Sequence, residues 1–325
     1  MARGVGGYSP RQGRIHLRYR QLAVESWLVL ARFVHYGSSL ALFGLVLFPL
    51  YACPPVRSRD SGSRGLAASL PVSLIVLVSG IFWFISAAIS MADAELSWET
   101  ARFILTETSF GAISLLRLSL AIVATGILAL LFRGPSRTLE LLLVALCAIL
   151  LGSLAGVGHT QVEDGQGRAA HTLSDALHLL AAGAWLGGLV GLSSLTVMSL
   201  RGEKEPYYPA CEAAFRFSTM GYTAVAILVA SGLINSWFLV GSFINLVTTT
   251  YGRLLLLKLL LFVVMVGFAG LNRFFVVPTL LDSAATGAKL GLRRLLINVA
   301  AEQGLGFAIV LIVSLLGITE PAATS

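Results

Sequence analysis

Long apolar runs separated by short polar stretches dominate the chain. Eight can be marked, over 27–50, 68–90, 110–132, 139–158, 173–199, 215–240, 253–276 and 295–318. Each is close to or above the roughly 20 residues with which a helix crosses a bilayer core. None has the short alternating pattern of a membrane barrel strand. Turn and charge signals fill the gaps: CPPVRSRDSGSRG, RGPSR, RGEKEP and PTLLDSAATGAKLGLRR. The pattern predicts an all-α, polytopic membrane helix bundle of about eight transmembrane helices. It divides the chain into a polar basic tail over 1–26, one membrane domain over 27–320, and a C-terminal tail over 321–325. No soluble domain fits between the runs, and no tandem repeat or low-complexity tract is visible. The first 26 residues lack the apolar core of a cleavable signal, so the first run is expected to act as an uncleaved insertion signal.

Composition agrees with a membrane protein. Of 325 residues, 56% are hydrophobic and 12% charged, against about 25% charged in soluble domains. The net charge of +7 does not point to nucleic acid, because most Lys and Arg stand at the ends of apolar runs, where they set topology. Loops after runs 1, 3, 5 and 7 carry Arg57, Arg59, Arg64, Arg133, Arg137, Arg201, Lys204, Lys289, Arg293 and Arg294. Those after runs 2, 4 and 6 carry only Arg102, Arg168 and Arg253. The positive-inside rule therefore places the first set in the cytoplasm and both termini outside. The tail opposes this, since it would translocate Arg3, Arg11, Arg14, Arg18 and Arg20. Asp93, Glu95, Glu99, Glu107, Glu163 and Asp164 then gather outside. They are either a cation-attracting rim or ordinary loop polarity.

Four of the five histidines fall at one depth in this topology. His35 lies in run 1, roughly 12 Å below its outer end. His159 closes run 4, His171 precedes run 5 and His178 lies inside it. A short loop makes runs 4 and 5 antiparallel neighbours. If helix begins near His171, then His171, Asp175 and His178 share one face, which Trp185 extends inward. Two imidazoles with a carboxylate between them can bind a transition metal, or the carboxylate can orient one imidazole. Thr172-x-x-Asp175 also reads as a capping box, which would start the helix there and make Asp175 a cap. Ionisable residues within spans face a bundle interior or a cavity, so His35 and His178 are harder to explain as surface residues than His171.

The three cysteines, Cys53, Cys147 and Cys211, form no CxxC, and none lies on the outer side. An outer metal site would use nitrogen, oxygen and a thioether, for which Met91 is the candidate. Other polar residues within the spans are Arg117, Lys258 and Glu302, with Asn235, Asn272 and Arg273 nearer the edges. An Arg273–Glu302 ion pair, or a lower station on an ion path, accounts for Arg273 and Glu302. No nucleophile–base pair, nucleotide-binding motif or other enzymatic signature is present.

Several blocks of the chain resemble the bacterial copper-resistance protein D family. They are RFVHYGSSLALFG (32–44), GHT (158–160), DALHLLAAGAWLGGLV (175–190), YGRLLLLKLLLF (251–262), LNR (271–273) and LRRLLINVAAEQGLG (292–306). The resemblance implies eight helices in the bacterial inner membrane. It also implies copper as the bound ion, a periplasmic copper-binding partner, and movement of copper from periplasm to cytoplasm. Both termini would then be periplasmic. The family's histidines match His35, His159 and His178, with His171 an outer station. Asp175, Met91, Trp185, Glu302, Arg273 and Asn272 are expected as supporting or pathway residues. Two other functions fit the same histidines: a b-type haem protein of redox function, and an accessory protein that hands copper to an oxidase without transporting it. The basic tail departs from the family pattern and could contact anionic lipid.

Overall fold

The computed structural model describes residues 10–53, 58–92, 97–157, 165–201, 208–240, 242–282 and 285–322. It is all-helical there. Eleven α-helices follow one another: α1 (Pro10–Ala52), α2 (Ser58–Met91), α3 (Trp98–Glu107), α4 (Ser109–Leu131), α5 (Arg137–Gly152), α6 (Gly165–Arg201), α7 (Tyr208–Val240), α8 (Phe243–Thr248), α9 (Thr250–Leu271), α10 (Val277–Asp282) and α11 (Ala285–Leu316). Eight stretches are long and apolar enough to cross a membrane, in α1, α2, α4, α5, α6, α7, α9 and α11, and each overlaps one of the eight runs. A 3₁₀ turn, Ser153–Val157, extends the fourth, and a π-helical turn, Asn272–Val276, extends the seventh. The end of the bundle at which the odd-numbered spans begin is called upper below.

Several helices begin well before their apolar runs, α2 at Ser58, α7 at Tyr208 and α11 at Ala285 among them, and two further boundaries change the reading. Helix α1 reaches back to Pro10, into the region assigned to the tail; proline is favoured in a first helical turn because its missing N–H has no partner to lose. Helix α6 starts at Gly165, seven residues before Thr172. Gly165 sits at φ +65°, a left-handed conformation that glycine adopts without Cβ strain. Thr172 and Asp175 are therefore inside the helix, and the capping-box reading of Asp175 is wrong.

Helices α1 and α6 form the buried centre. Gly183, Gly187 and Gly191 line one face of α6 at four-residue spacing. A Cβ on Gly183 would strike Leu151 and Phe43 and touch Leu40, one on Gly187 would strike the Leu40 and Ala41 carbonyls and Gly44, and one on Gly191 would strike Phe48. Small residues let the two backbones meet, which supplies packing where lipid provides no hydrophobic drive between helices. The contacts run in step along both helices, so α1 and α6 are parallel and in fixed register. His35 and His178, each five residues before a member of the Leu40–Gly183 contact, stand at one depth.

The bundle also repeats one plan twice, although no tandem repeat was visible in the sequence. A short upper helix, α3 or α8, precedes the third or seventh span. Thr108 caps α4 by accepting from the Gly111 N–H at 3.0 Å, while its hydroxyl donates to the Ile104 carbonyl of α3. Thr249 does the same for α9, accepting from Gly252 N–H at 3.0 Å and donating to the Asn245 carbonyl at 2.7 Å. In both, a Cβ on the glycine would collide with the preceding short helix. A basic residue follows six positions after each glycine, in TSFGAISLLRL (108–118) and TTYGRLLLLKL (249–259). These residues are Arg117 and Lys258. The aromatic side chains Trp98, Trp237 and Phe243 are strongly exposed at this upper end.

Candidate functional site

The repeated plan extends to the histidines. In the first half, His35 Nδ1 lies 3.0 Å from Ser79 Oγ of α2. Ser79 already donates its hydroxyl proton to the Val76 carbonyl of its own helix, at 3.2 Å. In the second half, His178 Nδ1 lies 2.9 Å from Ser231 Oγ of α7, and Ser231 donates to the Ile227 carbonyl at 2.6 Å. The proton assignment that satisfies all these groups makes each imidazole donate from Nδ1, so that Nε2 carries the lone pair. A backing bond of this kind fixes the tautomer of metal-ligating histidines. Glycine follows each serine and leaves room for the ring. A Cβ at Gly80 would come within 3.2 Å of His35 Cε1, and one at Gly232 within 3.7 Å of His178 Cε1.

The surroundings of the two rings differ. His35 is enclosed, and among the described residues its Nε2 has no hydrogen-bond partner. It lies beside Trp83, with ring centroids 5.5 Å apart. Two cations converge on the same indole, Arg117 at 4.4 Å and Arg32 at 5.6 Å from its centroid. Arg117, unexplained by sequence alone, is thus held in the membrane by cation–π attraction, and it acts electrostatically on His35. A further cation is poorly received there.

His178 instead borders a cavity of about 540 Å³ among α6, α7, α9 and α11, shared with Lys258, Trp185 and Trp237. Asp175, one turn before His178, accepts a hydrogen bond from Asn235 Nδ2 at 3.1 Å and attracts Lys258. His171, a further turn up, is buried and stacked on Phe238, with centroids 4.7 Å apart and planes within 12°. The three residues share one face of α6, as their spacing predicts, and that face lies on α7: His171 meets Phe238, Asp175 meets Asn235, His178 meets Ser231. A carboxylate stands in the second half where Arg32 stands in the first, three residues before the histidine.

His35 and His178 do not face each other. They sit level, but His35 turns to α2 and His178 to α7. Among the described residues, no three His, Cys, Asp or Glu side chains form a group able to hold a metal ion. His159 lies outside the described residues, as do Asp93, Glu95, Glu163 and Asp164. Met91 is exposed at the end of α2.

Lower in the membrane, Trp185 is nearly fully buried and borders a second cavity of about 320 Å³ with Asn272, Arg273 and Glu302. It thus lies between the two cavities, packed edge-on against Phe262 at 6.1 Å. The expected Arg273–Glu302 pair does not form. Glu302 Oε1 accepts from Asn272 Nδ2 at 2.7 Å, and Asn272 Oδ1 accepts from Asn298 Nδ2 at 2.8 Å. Arg273 lies over the rings of Phe215, at 4.8 Å, and Tyr222, at 5.6 Å. The π-helical turn explains the exchange: it begins at Asn272 and widens the backbone there, aiming Asn272 at α11 and Arg273 at α7. Sequence reasoning missed Ser79, Ser231 and Asn298. Ser-Gly at 79–80 and at 231–232 was the available signal, but it has meaning only beside a histidine from another helix.

Comparison with known proteins gives a consistent picture. Residues 23–170 match the family described as copper resistance protein D-like, N-terminal domain, and residues 212–316 match copper resistance protein D. The chain is 30% identical over 303 residues to copper resistance protein D of Pseudomonas syringae pv. tomato, covering 90% of this chain and 96% of that protein. It is 31% identical over 305 residues to the inner membrane protein YebZ of Escherichia coli (strain K12), covering 91% and 98%. A 116-residue stretch is 36% identical to the copper transport protein CutJ of Bacillus subtilis (strain 168), 36% of this chain and 21% of that one. No solved structure matches.

Proposed function

Since the chain belongs to the copper resistance protein D family, we propose that it is an inner-membrane protein that takes up copper at His178 and passes it through the bundle toward the cytoplasm. The observation that supports this most is the His178–Ser231 bond at a cavity wall. It commits Nδ1 and leaves Nε2, the copper-capable nitrogen, as the free lone pair. Asp175 supplies negative charge one turn above. His171, two turns above His178 on the same face of α6, is the outer station, and His159 is proposed as a further ligand from the sequence alone. His35 is a separate station, and its two arginine neighbours make it the weaker one. In this reading the histidine end faces the periplasm with both termini, which the loop charges support, and a periplasmic copper-binding protein delivers the ion there. From there the route follows Trp185 toward Asn272, Arg273 and Glu302.

Copper is the cargo in this reading, and no enzymatic step is assigned. Uptake into proteoliposomes tests it: His178→Ala should abolish copper accumulation that the wild type shows. Equal uptake by both sinks the assignment, while binding without uptake in the wild type favours the accessory role. The size and apolar lining of the His178 cavity support a second reading, a single haem on His178 Nε2. A Soret band in the purified protein would select it.

A further inference from the structure

Glu302 is the only acidic side chain among the described residues that borders either cavity, and it is 1% exposed. One of its oxygens, Oε1, is held by Asn272. The other, Oε2, makes no hydrogen bond of good geometry among the described residues, although the Trp185 indole N–H lies near the carboxyl group. About half of α11 lies on either side of it, so the carboxyl group sits near the middle of the membrane. A carboxylate there, with one bare oxygen, is strongly disfavoured unless a cation accompanies it. The charged and titratable groups sharing its cavity are Arg273 on the π-helical turn and Tyr222 on α7. The Arg273 guanidinium is committed to the Phe215 and Tyr222 rings.

We propose that Glu302 is a proton-exchange site, carrying a proton on Oε2 while the lower cavity is empty and releasing it when a cation enters. The exchange balances simply. The O–H bond at Oε2 breaks, its electron pair stays on the carboxylate, and the proton leaves to water at the Arg273 end. One positive charge replaces another, so the cavity keeps its net charge. A carboxylate is a poor ligand for a soft ion such as Cu(I), so Glu302 acts as counter-charge to the passing ion. The inference rests on the copper-transport reading, and makes that transport an exchange of one proton for each Cu(I), driven by the copper gradient.

Infrared spectroscopy of the purified full-length protein tests the protonation without any metal. A protonated-carboxyl stretch present near neutral pH should vanish in Glu302→Gln and shift in Glu302→Asp. Gln keeps an acceptor for Asn272, and an unchanged size-exclusion profile confirms that the variant is folded. If no Glu302-dependent band exists near neutral pH, the proposal is overturned. In proteoliposomes containing a pH-sensitive dye, copper uptake by the wild type should move protons the opposite way. Glu302→Gln should lose that proton movement while keeping wild-type copper stoichiometry at the histidines. Uptake with no proton movement, or undiminished proton movement in Glu302→Gln, overturns the exchange. Absence of copper uptake in the wild type counts against the transport reading instead, and the infrared band then decides the protonation of Glu302 by itself.

Discussion

The two halves of this bundle share a scaffold and differ in charge. Each has a histidine backed by a Ser-Gly pair, a threonine-capped third span and a basic residue six positions after its glycine. The first half surrounds its imidazole with Arg32, Arg117 and Trp83 and closes over it. The second places Asp175 where Arg32 would be and opens onto a cavity. One frame thus yields a cationic, sealed environment and a compensated, accessible one. In the proposed reading, the residue three positions before each histidine and the space beside it decide which of the two receives the metal.

The largest expected effect lies on the histidines. His178→Ala should remove bound copper from the purified protein, as measured by elemental analysis, and His35→Ala should leave most of it. The reverse order would break the comparison between the halves. Next come the backing serines. Ser231→Ala should weaken copper binding by about 10–100-fold, the usual cost of losing such a partner. Ser79→Ala should leave affinity at the accessible site unchanged, and a metal titration of both variants measures the difference.

The seam between the halves can be probed separately. Gly187→Ala places a methyl against the Leu40 and Ala41 carbonyls, and should cost about 1–3 kcal/mol or more, because backbone cannot step aside as a side chain can. Gly267→Ala has open space around it and should be neutral or slightly stabilising, since alanine is the better helix former. Thermal unfolding in detergent compares them. The smallest effect tests the repeat itself. Thr108→Ala and Thr249→Ala each remove one cap and should cost a similar amount, about 1 kcal/mol. A clear inequality would show that the two short upper helices are not equivalent.

Much of this architecture was legible in the sequence. Run length and polarity predict eight spans because lipid demands about 20 apolar residues and continuous backbone bonding. The stripe of His171, Asp175 and His178 follows from helical periodicity alone. The start of α6 was not legible, since a polar stretch before an apolar run reads as loop whether or not it is helical. Nor was the partner of Glu302, because a π-helical turn moves the side chains after it off α-helical spacing. The repeat escaped notice for a simpler reason. Its defining positions are few, and they gain meaning only from the contacts that Ser79, Ser231, Thr108 and Thr249 make.

Trp185 gives the arrangement an optical consequence. One indole borders both cavities and is shielded from solvent, so its emission should be blue-shifted at rest. On the proposed route, water or an ion passing from one cavity to the other would move beside its ring, and should redden or quench it. With the exposed Trp27, Trp98 and Trp237 replaced by phenylalanine, Trp83 in the sealed half becomes a steady reference. Traffic through the second half could then be followed in real time, with no label added to the protein.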